Sequence, residues 1–576
     1  MSLKLSWRWI FVLATTIAYA PFLNLRLLPT AGDEKVYVTQ ALEMAESGRL
    51  CVQTLFGEPN YFKGPFHYLL IQLGLAVFGL KLIALRYMNL LFVIAAGLAV
   101  GTLIERYVQP AVHRGRNAPA LWGALGTAWC AGAMGHVLAS QMEIELLAAY
   151  SVAMLLLDHA QRSRRAELGF WIIAGLTGWM KSPVHSALLG MSYWLYFLLR
   201  EIAQRDGSLQ RKVINLRSMA FMALGCAICI SGYLPAAIQD WDAFRANYID
   251  RENLSKSGGN GGPGWQAWFP LFFYYLFPWN WLALALYLSS ATNFLRAGRF
   301  AERLRSPAAL PYLFIAAMLL PIVSFFWWHP YRGENYTYPV HGAVFVLLAL
   351  LWSRARQGWI LKTSAVLTAV QVLIPAAFLL WLTEGSVPDW LPHWSPSLIA
   401  VLALVTGIGL VATLFSNKRR FLSGLVTVPF VISIQLLLFW AGDREMTGLR
   451  AYLNENVSHR SLCYLNLEKN IWNELGYLSF TLGERVKSCH TPALAAEHLR
   501  TGGTLIVMRP EQLEELASTP QVSGMSLGSQ TWKRWGRHAH IPRNGRSPLQ
   551  EVRTTGNWSS LERDFLLVIQ KTPGHG

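Results

Sequence analysis

Charged residues are scarce in this chain of 576 residues. Only 14% of its residues are Asp, Glu, Lys or Arg, whereas 53% are hydrophobic and the mean hydropathy is +0.30. Soluble domains carry roughly a quarter of charged residues. The shortage of charged residues excludes an ordinary soluble protein and predicts a membrane protein whose charged residues lie in its loops.

Acidic residues are scarcer than basic ones, with 33 Asp and Glu against 50 Lys and Arg, which gives a net charge of +17. No basic module stands apart from the apolar segments, so we predict no nucleic-acid partner. The basic residues instead form short clusters between apolar runs, as the positive-inside rule predicts for cytoplasmic loops. The clusters are Arg114/Arg116, Arg162/Arg164/Arg165, Arg211/Lys212, Arg303/Arg305, Arg354/Arg356 and Lys418/Arg419/Arg420.

Repeats, metal motifs and cysteines are also absent or few. No internal repeat is visible, which disfavours a transporter, because many transporters consist of repeated halves. His136 and His329 have no second ligand at metal-binding spacing; a divalent metal is compatible with the sequence, but no motif supports one.

Of only six cysteines, Cys463 and Cys489 share the polar C-terminal part. There, a disulfide in an oxidising compartment and two separate thiols are both open interpretations.

Apolar segments of about 20 residues, the length that crosses a bilayer, predict about thirteen transmembrane helices. The run 9–23 has no small-residue cleavage site after it, so we predict a retained first helix and not a signal peptide. Segment 66–83 is interpreted as a juxtamembrane helix, since counting it as a span would move the later basic clusters to the outer face. The approximate starts of the spans are Trp9, Tyr87, Ala118, Glu145, Gly169, Ser186, Ala220, Trp268, Ala308, Val340, Leu361, Ser397 and Leu422.

The chain divides into a transmembrane domain, 1–441, and a soluble C-terminal domain, 442–576. Outer loops 25–86 and 240–266 interrupt the first domain, and 37–47 within them predicts an amphipathic helix on the membrane surface. The glycine-rich run SKSGGNGGPG in the second loop is either a mobile lid or a plain connector. In the C-terminal part, TLIVMR and DFLLVIQK predict strands and TPALAAEHLRTGG predicts a helix followed by glycine, which indicates a small α/β domain.

Acidic side chains beside the membrane segments are candidate catalytic groups. Asp33 and Glu34 follow the first span, where a carboxylate can act as general base on an acceptor hydroxyl or stabilise positive charge on a sugar carbon. A solvated loop is the alternative. Glu143 and Glu145 begin the fourth span, where acids also favour the N-terminus of a helix through its dipole. Because an acid close to the hydrocarbon is costly, a functional role is the default interpretation.

Cations and phenols lie at the same predicted membrane face. Lys63, in YFKGPFHYLL, can hold a phosphate as a point charge or extend to the lipid headgroups. Lys181 interrupts a long apolar stretch just before a proline that breaks the helix, which indicates an anion site. Tyr336 and Tyr338, with Arg332 nearby, can donate hydrogen bonds to a phosphate or belong to an ordinary aromatic belt.

The order of these motifs resembles that of the membrane glycosyltransferases of the aminoarabinose transferase (ArnT-like) and protein mannosyltransferase group, in the C-type superfamily. The family pattern DExRY after the first span matches Asp33, Glu34 and Tyr37, with Val36 in place of the arginine. The pattern YFEKPP appears as YFKGPF in 61–66, without the acid and with the lysine displaced by one position. The valine argues against the acceptor chemistry of the aminoarabinose enzymes.

The later family patterns follow in the same order. The second acidic element matches EIEL in 143–146, and TKGP corresponds to MKSP in 180–183. The pattern YxxxENxxR is matched with Glu252 and Asn253 in place and Lys256 at the last position. HRGPWW is reduced to GGPGW, PW is retained, and KxxxYxxP corresponds to YTYP. Loss of the YFEKPP acid and of the HRGP histidine argues against a family metal site.

The resemblance covers residues 10–350 and implies a polytopic α-helical protein with the C-type fold and a small periplasmic α/β domain. It implies a bacterial inner-membrane enzyme that moves a sugar from a polyprenyl-phosphate donor to lipid A or lipopolysaccharide, another envelope glycan, or a protein. Asp33 would be the principal catalytic acid, and Lys63, Lys181, Lys256 and the tyrosines would hold the phosphate.

Two alternatives stay open. A polymerase or ligase of lipid-linked glycans would have the same fold class but would act only on oligosaccharide donors. A lipid flippase or transporter would need a polar pathway at mid-membrane depth, whereas the charges here collect at one face.

Overall fold

The structure is a computed structural model, and long helices make up most of the chain that it describes. The residues described are 6–24, 34–61, 63–108, 117–138, 140–205, 207–255, 273–296, 305–329, 335–355, 359–382, 395–414, 423–426, 462–467, 475–507, 510–523, 525, 527–535 and 562–570. The helices are α1 Trp7–Tyr19, α2 Glu34–Ser47, α3 Phe66–Phe78, α4 Ile83–Tyr107, α5 Asn117–Trp129, α6 Ala131–Leu138, α7 Met142–Ala160, α8 Arg164–Met180, α9 Pro183–Gln204, α10 Ser208–Lys212, α11 Leu216–Ser231, α12 Leu234–Gln239, α13 Trp241–Phe244, α14 Asn280–Arg296, α15 Leu310–Trp328, α16 His341–Arg354, α17 Trp359–Leu382, α18 Ser395–Leu414, α19 Ser423–Val426, α20 Leu475–Leu482, α21 Pro492–Arg500 and α22 Pro510–Ala517. A π-helix, Arg245–Leu254, follows α13.

Most of the predicted span starts lie within five residues of an observed helix start. The start predicted at Trp268 lies outside the described residues, and so does the glycine-rich part of the second outer loop. Two described helices, Ile83–Tyr107 and Pro307–Trp328, are both long and apolar enough to cross a bilayer, and further apolar helices are shorter. The number of about thirteen spans therefore stays a prediction.

The helices of the N-terminal part pack around one apolar core. Helix α4 packs on α5 and α7, α7 on α8, and α8 on α9 and α11. Aromatic side chains fill the centre, where the Trp122 ring makes edge contacts with Trp279, Phe345 and Trp352 at centroid distances of 5.1–5.8 Å. Edge-to-face packing of this kind stabilises a core beyond the area it buries.

Charged residues collect at the two ends of the helical bundle. At one end, Glu167 in the first turn of α8 accepts hydrogen bonds from Tyr193 and Ser218 and pairs with Lys212. Arg106 and Asp158 join the ends of α4 and α7 at the same end. Lys181, at the other end of α8, is roughly 20 Å away at 1.5 Å per residue. This separation places Lys181 and the start of α7 at one mouth of the bundle.

The C-terminal part contains a mixed five-stranded sheet with the order β4-β3-β5-β7-β6. The predicted strands and the predicted helix, which is α21, are present, and Gly502 beyond α21 has a φ of +78°. The central strands are parallel, whereas β7 runs antiparallel to its two neighbours. The strands are β3 Leu462–Leu465, β4 Lys487–Cys489, β5 Thr504–Val507, β6 Leu527–Trp535 and β7 Glu562–Gln570; a small hairpin of β1 Thr54–Leu55 and β2 Glu58–Pro59 lies in the first outer loop.

Helix α2 is buried, in contrast to its predicted position on a surface. The sequence predicts an amphipathic helix on a surface, and the helix is present, but its residues from Val36 to Leu42 are all buried. Its two sides pack on α3 and on α20 of the C-terminal part. The prediction was wrong because the apolar residues of α20, which are far away in sequence, cover the face that was assigned to the membrane surface.

The structure confirms a disulfide between Cys463 and Cys489, which joins β3 to β4. Closing a loop of this length restricts the unfolded chain, and loop-closure entropy gives a stabilisation of about 3 kcal/mol. We expect the Cys463→Ser/Cys489→Ser variant to lose this stability in the C-terminal part, measured as a lower midpoint in thermal unfolding.

Cys226→Ser is the matched control, because this cysteine is exposed and unbonded, and its midpoint should equal that of the wild type. Reduction of the wild type should reproduce the shift of the double variant. An unchanged midpoint in both would contradict the disulfide.

Candidate functional site

A buried ion pair joins Lys181 to Glu143 at the mouth of the bundle. The Lys181 Nζ donates to Glu143 Oε1 at 2.6 Å, and the two residues are 6% and 4% exposed. The ammonium also lies 4.7 Å from the centre of the Tyr336 ring, a cation–π contact. An unpaired charge would be costly when it is buried, and the carboxylate and the ring offset this cost.

The local sequence explains why Lys181 lies at this mouth. Helix α8 ends at Met180, and Lys181 is its C-terminal cap residue. Ser182 is extended, with φ −163° and ψ 158°, as expected for a residue that precedes proline. Pro183 then occupies the first turn of α9, where its missing N–H leaves no bond unmade. The Lys-Ser-Pro sequence thus turns the chain and leaves the lysine at the junction of two helices.

A second buried ion pair joins Lys63 to Glu252. The two residues are 6% and 9% exposed and come from the first outer loop and from the π-helix. Next to them, the Asn253 side chain donates to the backbone oxygen of Tyr248 at 2.6 Å. The pair therefore connects two predicted outer loops that are distant in sequence.

The lysines of both ion pairs border one cavity of about 280 Å³. Five predicted site residues line it, namely Lys63, Lys181, Glu252, Asn253 and Tyr336. Ser182, Val184, His185, Tyr248, Leu254, Phe325, Phe326 and His329 complete the lining. Burial raises the pKa of the Tyr248 phenol above its ordinary value, so this side chain stays a neutral hydroxyl. The cavity is thus lined by two cations, two phenols, an amide and the Glu252 carboxylate.

Glu145 belongs to a neighbouring buried pair. Its Oε1 lies 2.5 Å from His67 Nδ1, and both residues are almost fully buried. The His67 ring makes an edge contact with Tyr37 on α2, with 5.3 Å between centroids. Residues two apart on a helix do not face the same side, which explains why Glu143 and Glu145 have different partners. Both acids bind side chains and do more than cap α7.

The other predicted site residues have different surroundings. Tyr338 is fully buried in the core, where its ring contacts His136 and His341, and it does not line the cavity. Of the two predicted tyrosines, Tyr336 borders the cavity and Tyr338 packs in the core. The turn between them directs their side chains apart. Asp33, Lys256 and Arg332 lie outside the described residues. Glu34 begins α2, and its side chain is not among those described.

Sequence reasoning missed two histidines near the charged residues. His67 follows Lys63 by four positions in the motif YFKGPFHYLL, and this proximity was a usable signal. His185 lies in the first turn of α9, four positions after Lys181, and lines the cavity.

Among the described residues, no group of three or more His, Cys, Asp or Glu side chains has the geometry to hold a metal ion.

The two lysines can bind an anion in place of their glutamate partners. Without a ligand each lysine is neutralised by one glutamate, so the cavity has little net charge. A phosphate that enters the cavity can accept hydrogen bonds from both ammonium groups and form charge-assisted contacts. The glutamates hold the lysines in place before the anion arrives, and such preorganised cations stabilise charge that develops on a leaving group.

Removing the cation at position 181 should destabilise the fold. In Lys181→Met the carboxylate of Glu143 is left buried without its ion-pair partner, which typically costs about 3–5 kcal/mol. We expect this loss in denaturant unfolding in detergent, and we expect Lys181→Met/Glu143→Gln to recover most of it.

Arg245→Met is the control, because the Arg245–Asp250 pair is exposed and exposed pairs contribute at most about 1 kcal/mol. If Lys181→Met unfolds like the control, the Lys181–Glu143 pair is not the buried pair described above.

Solved structures with the same fold were found, although no family model and no curated protein sequence matches the chain. ArnT from Cupriavidus metallidurans in the apo state is 17% identical, with a TM-score of 0.63, over 98% of this chain and 97% of that chain. ArnT from the same organism bound to undecaprenyl phosphate is also 17% identical, with a TM-score of 0.60, over 98% of both chains. The chain therefore has an ArnT-like fold, as the resemblance of its motifs predicts.

Proposed function

We propose that this protein is a membrane glycosyltransferase that moves a sugar from a polyprenyl-phosphate donor to an acceptor. The observation that carries the proposal is the cavity in which Lys63 and Lys181 lie together, buried and held by glutamates. One of the structures with the same fold is of ArnT bound to undecaprenyl phosphate, which supports a lipid phosphate as the ligand.

An apolar groove beside this cavity supports the lipid part of the donor. The groove has a volume of about 830 Å³ and lies between α8, α9 and α11. Pro183 and Ser186, which directly follow the Lys181 junction, belong to its lining. Large apolar side chains that are partly exposed, such as Met191 and Trp194, line it further along α9. An isoprenoid chain fits such a groove while its phosphate reaches the lysines.

In this proposal the acceptor oxygen attacks the sugar carbon as the bond from that carbon to the phosphate oxygen breaks. The acceptor proton passes to Asp33, and the polyprenyl phosphate leaves with its negative charge stabilised by Lys63 and Lys181. A single displacement inverts the configuration at the sugar carbon. For an acceptor that is already an anionic phosphate no base is needed, and Asp33 then acts through its charge. Glu34 is a second candidate acid, and Lys256 and Arg332 are further candidate phosphate ligands.

The acids of α7 have supporting roles in the same scheme. Glu143 holds Lys181 at the cavity and forms the ion pair with it again when the product leaves. Glu145 orients His67, whose ring contacts Tyr37 on the helix that follows Asp33. No step requires a metal ion.

We propose a bacterial inner-membrane location with the site and the C-terminal domain, 442–576, facing the periplasm. Side chains such as Trp9, Ile202 and Trp328 are exposed on the helices, as expected for surfaces in contact with lipid. A disulfide in the C-terminal part fits an oxidising compartment. The acceptor would be lipid A or lipopolysaccharide, another envelope glycan, or a protein.

Sugar transfer by purified protein tests the proposal. Wild-type protein and Asp33→Asn would be incubated with a panel of polyprenyl-phosphate sugars and an envelope acceptor fraction. We expect transfer by the wild type and a loss of about 10²–10⁴-fold in Asp33→Asn, the usual contribution of a general base. Transfer only from oligosaccharide donors would instead identify a polymerase or ligase, and lipid movement across liposomes without transfer would identify a flippase.

Binding of polyprenyl phosphate tests the two lysines separately. Lys63→Met and Lys181→Met should each weaken binding by about 10-fold to 100-fold, the range for a charge-assisted hydrogen bond. Lys81→Met is the control, because Lys81 is exposed and does not line the cavity, and it should bind like the wild type. Equal binding by all four proteins would rule out the phosphate site.

A further inference from the structure

The C-terminal sheet domain and helix α2 share one apolar core. Residues of α2, such as Val38 and Leu42, are buried in the same cluster as Leu475 and Leu478 of α20. The same cluster includes residues of α3, the start of α4, and Met142. Helix α2 is therefore enclosed between the helical bundle and the C-terminal domain.

Helices α2 and α20 approach each other closely at Thr39 and Gly476. Gly476 N–H donates to Thr39 Oγ1 at 3.1 Å, across 437 positions of sequence. A Cβ atom at position 476 would lie only 2.6 Å from the backbone nitrogen of Thr39 and 2.7 Å from its Oγ1. Because one of these neighbours is backbone, α2 or α20 would have to shift to accommodate any side chain at position 476.

A charged contact lies at the far end of the same interface. Arg485 bonds both carboxylate oxygens of Glu46, at 2.5 and 3.0 Å, near the end of α2. The buried contact at Thr39 therefore sets the position of α2 relative to the C-terminal domain, and the exposed pair adds little to it.

Helix α2 in turn contacts the residues of the proposed site. Tyr37 touches His67, which binds Glu145, and Met142 of the shared core directly precedes Glu143. Asp33 and Glu34, the proposed acids, stand immediately before and at the start of this helix in the sequence. The phosphate-binding lysines, in contrast, lie on other segments.

We propose that Gly476 and Thr39 are positioning residues of the transferase: the C-terminal domain holds α2, whose Tyr37 contacts the His67–Glu145 pair, in register with the lysine cavity. This inference rests on the proposed function. It assigns the C-terminal domain a part in the transfer step that is separate from binding of the lipid phosphate.

Gly476→Ala tests the inference in the full-length protein. Alanine favours a helix over glycine by about 1 kcal/mol, so a loss would arise from the contact with Thr39 and not from helix propensity. We expect faster hydrogen–deuterium exchange in peptides covering 34–47 and transfer reduced roughly tenfold to hundredfold, the effect of a small misplacement of reacting groups. Binding of polyprenyl phosphate should stay within threefold of the wild type, since the lysines are not on α2.

Gly135→Ala is the matched control, because Gly135 is also in a helix, α6, and a Cβ there would meet nothing within 4 Å. It should match the wild type in exchange, binding and transfer. Thr39→Val is the second variant, in case Gly476→Ala does not fold. It keeps the side-chain shape but loses the acceptor for Gly476 N–H, and it should raise exchange in 475–482 and lower transfer several-fold.

Unchanged exchange in 34–47, or unchanged transfer despite faster exchange, overturns the inference. Parallel losses of lipid binding and transfer in Gly476→Ala and Thr39→Val overturn it as well, because α2 would then affect the whole site. If the wild type transfers no sugar, the proposed function fails, whereas the exchange measurements still decide whether the C-terminal domain holds α2.

Discussion

The site depends on the burial of two lysine ammonium groups, each next to a carboxylate. Moving a charge out of water costs several kcal/mol even in a relaxed protein, and a partner in good geometry offsets this. The Lys181–Glu143 pair meets the condition with a short bond, almost no solvent and an aromatic ring beside the cation. The helix junction after Met180, the first turn of α7 and the turn at Tyr336 must all be in place for this pair to form.

Two kinds of packing support these charges. Aromatic edge contacts of Trp122 with Trp279 and Trp352 hold helices of the bundle together, and α7 and α8 pack against each other in the same bundle. Two segments beyond the long helices then complete the mouth of the bundle, since Lys63 precedes α3 and Glu252 lies in the π-helix. The helices of the bundle and these two segments, which are joined by their own ion pair, thus form the cavity together.

Local chemistry made part of this site predictable from the sequence. Lys181 was identifiable because a lysine before Ser-Pro in an apolar stretch has few purely structural explanations. Helix starts followed from the lengths of the apolar segments, and the C-terminal strands followed from their runs of β-branched and aliphatic residues. The pairing of Lys63 with Glu252, 189 positions away, was not predictable, because nothing local to either residue specifies the other. The burial of α2 was missed for the same reason, and Tyr338 was indistinguishable from Tyr336 without knowing which way the turn between them points each ring.

The contact between Thr39 and Gly476 has a consequence for the order of biosynthesis. A chain that emerges from its N-terminus has α2 long before α20 exists, and the partners lie 437 positions apart. Throughout that interval one apolar face of α2 lacks its final cover, while the bundle helices behind it can already pack. The lysine cavity, whose lining extends along the chain only to Tyr336, can therefore form before α2 is enclosed. A chain interrupted before residue 475 would therefore contain the lysine cavity without the contact that encloses α2.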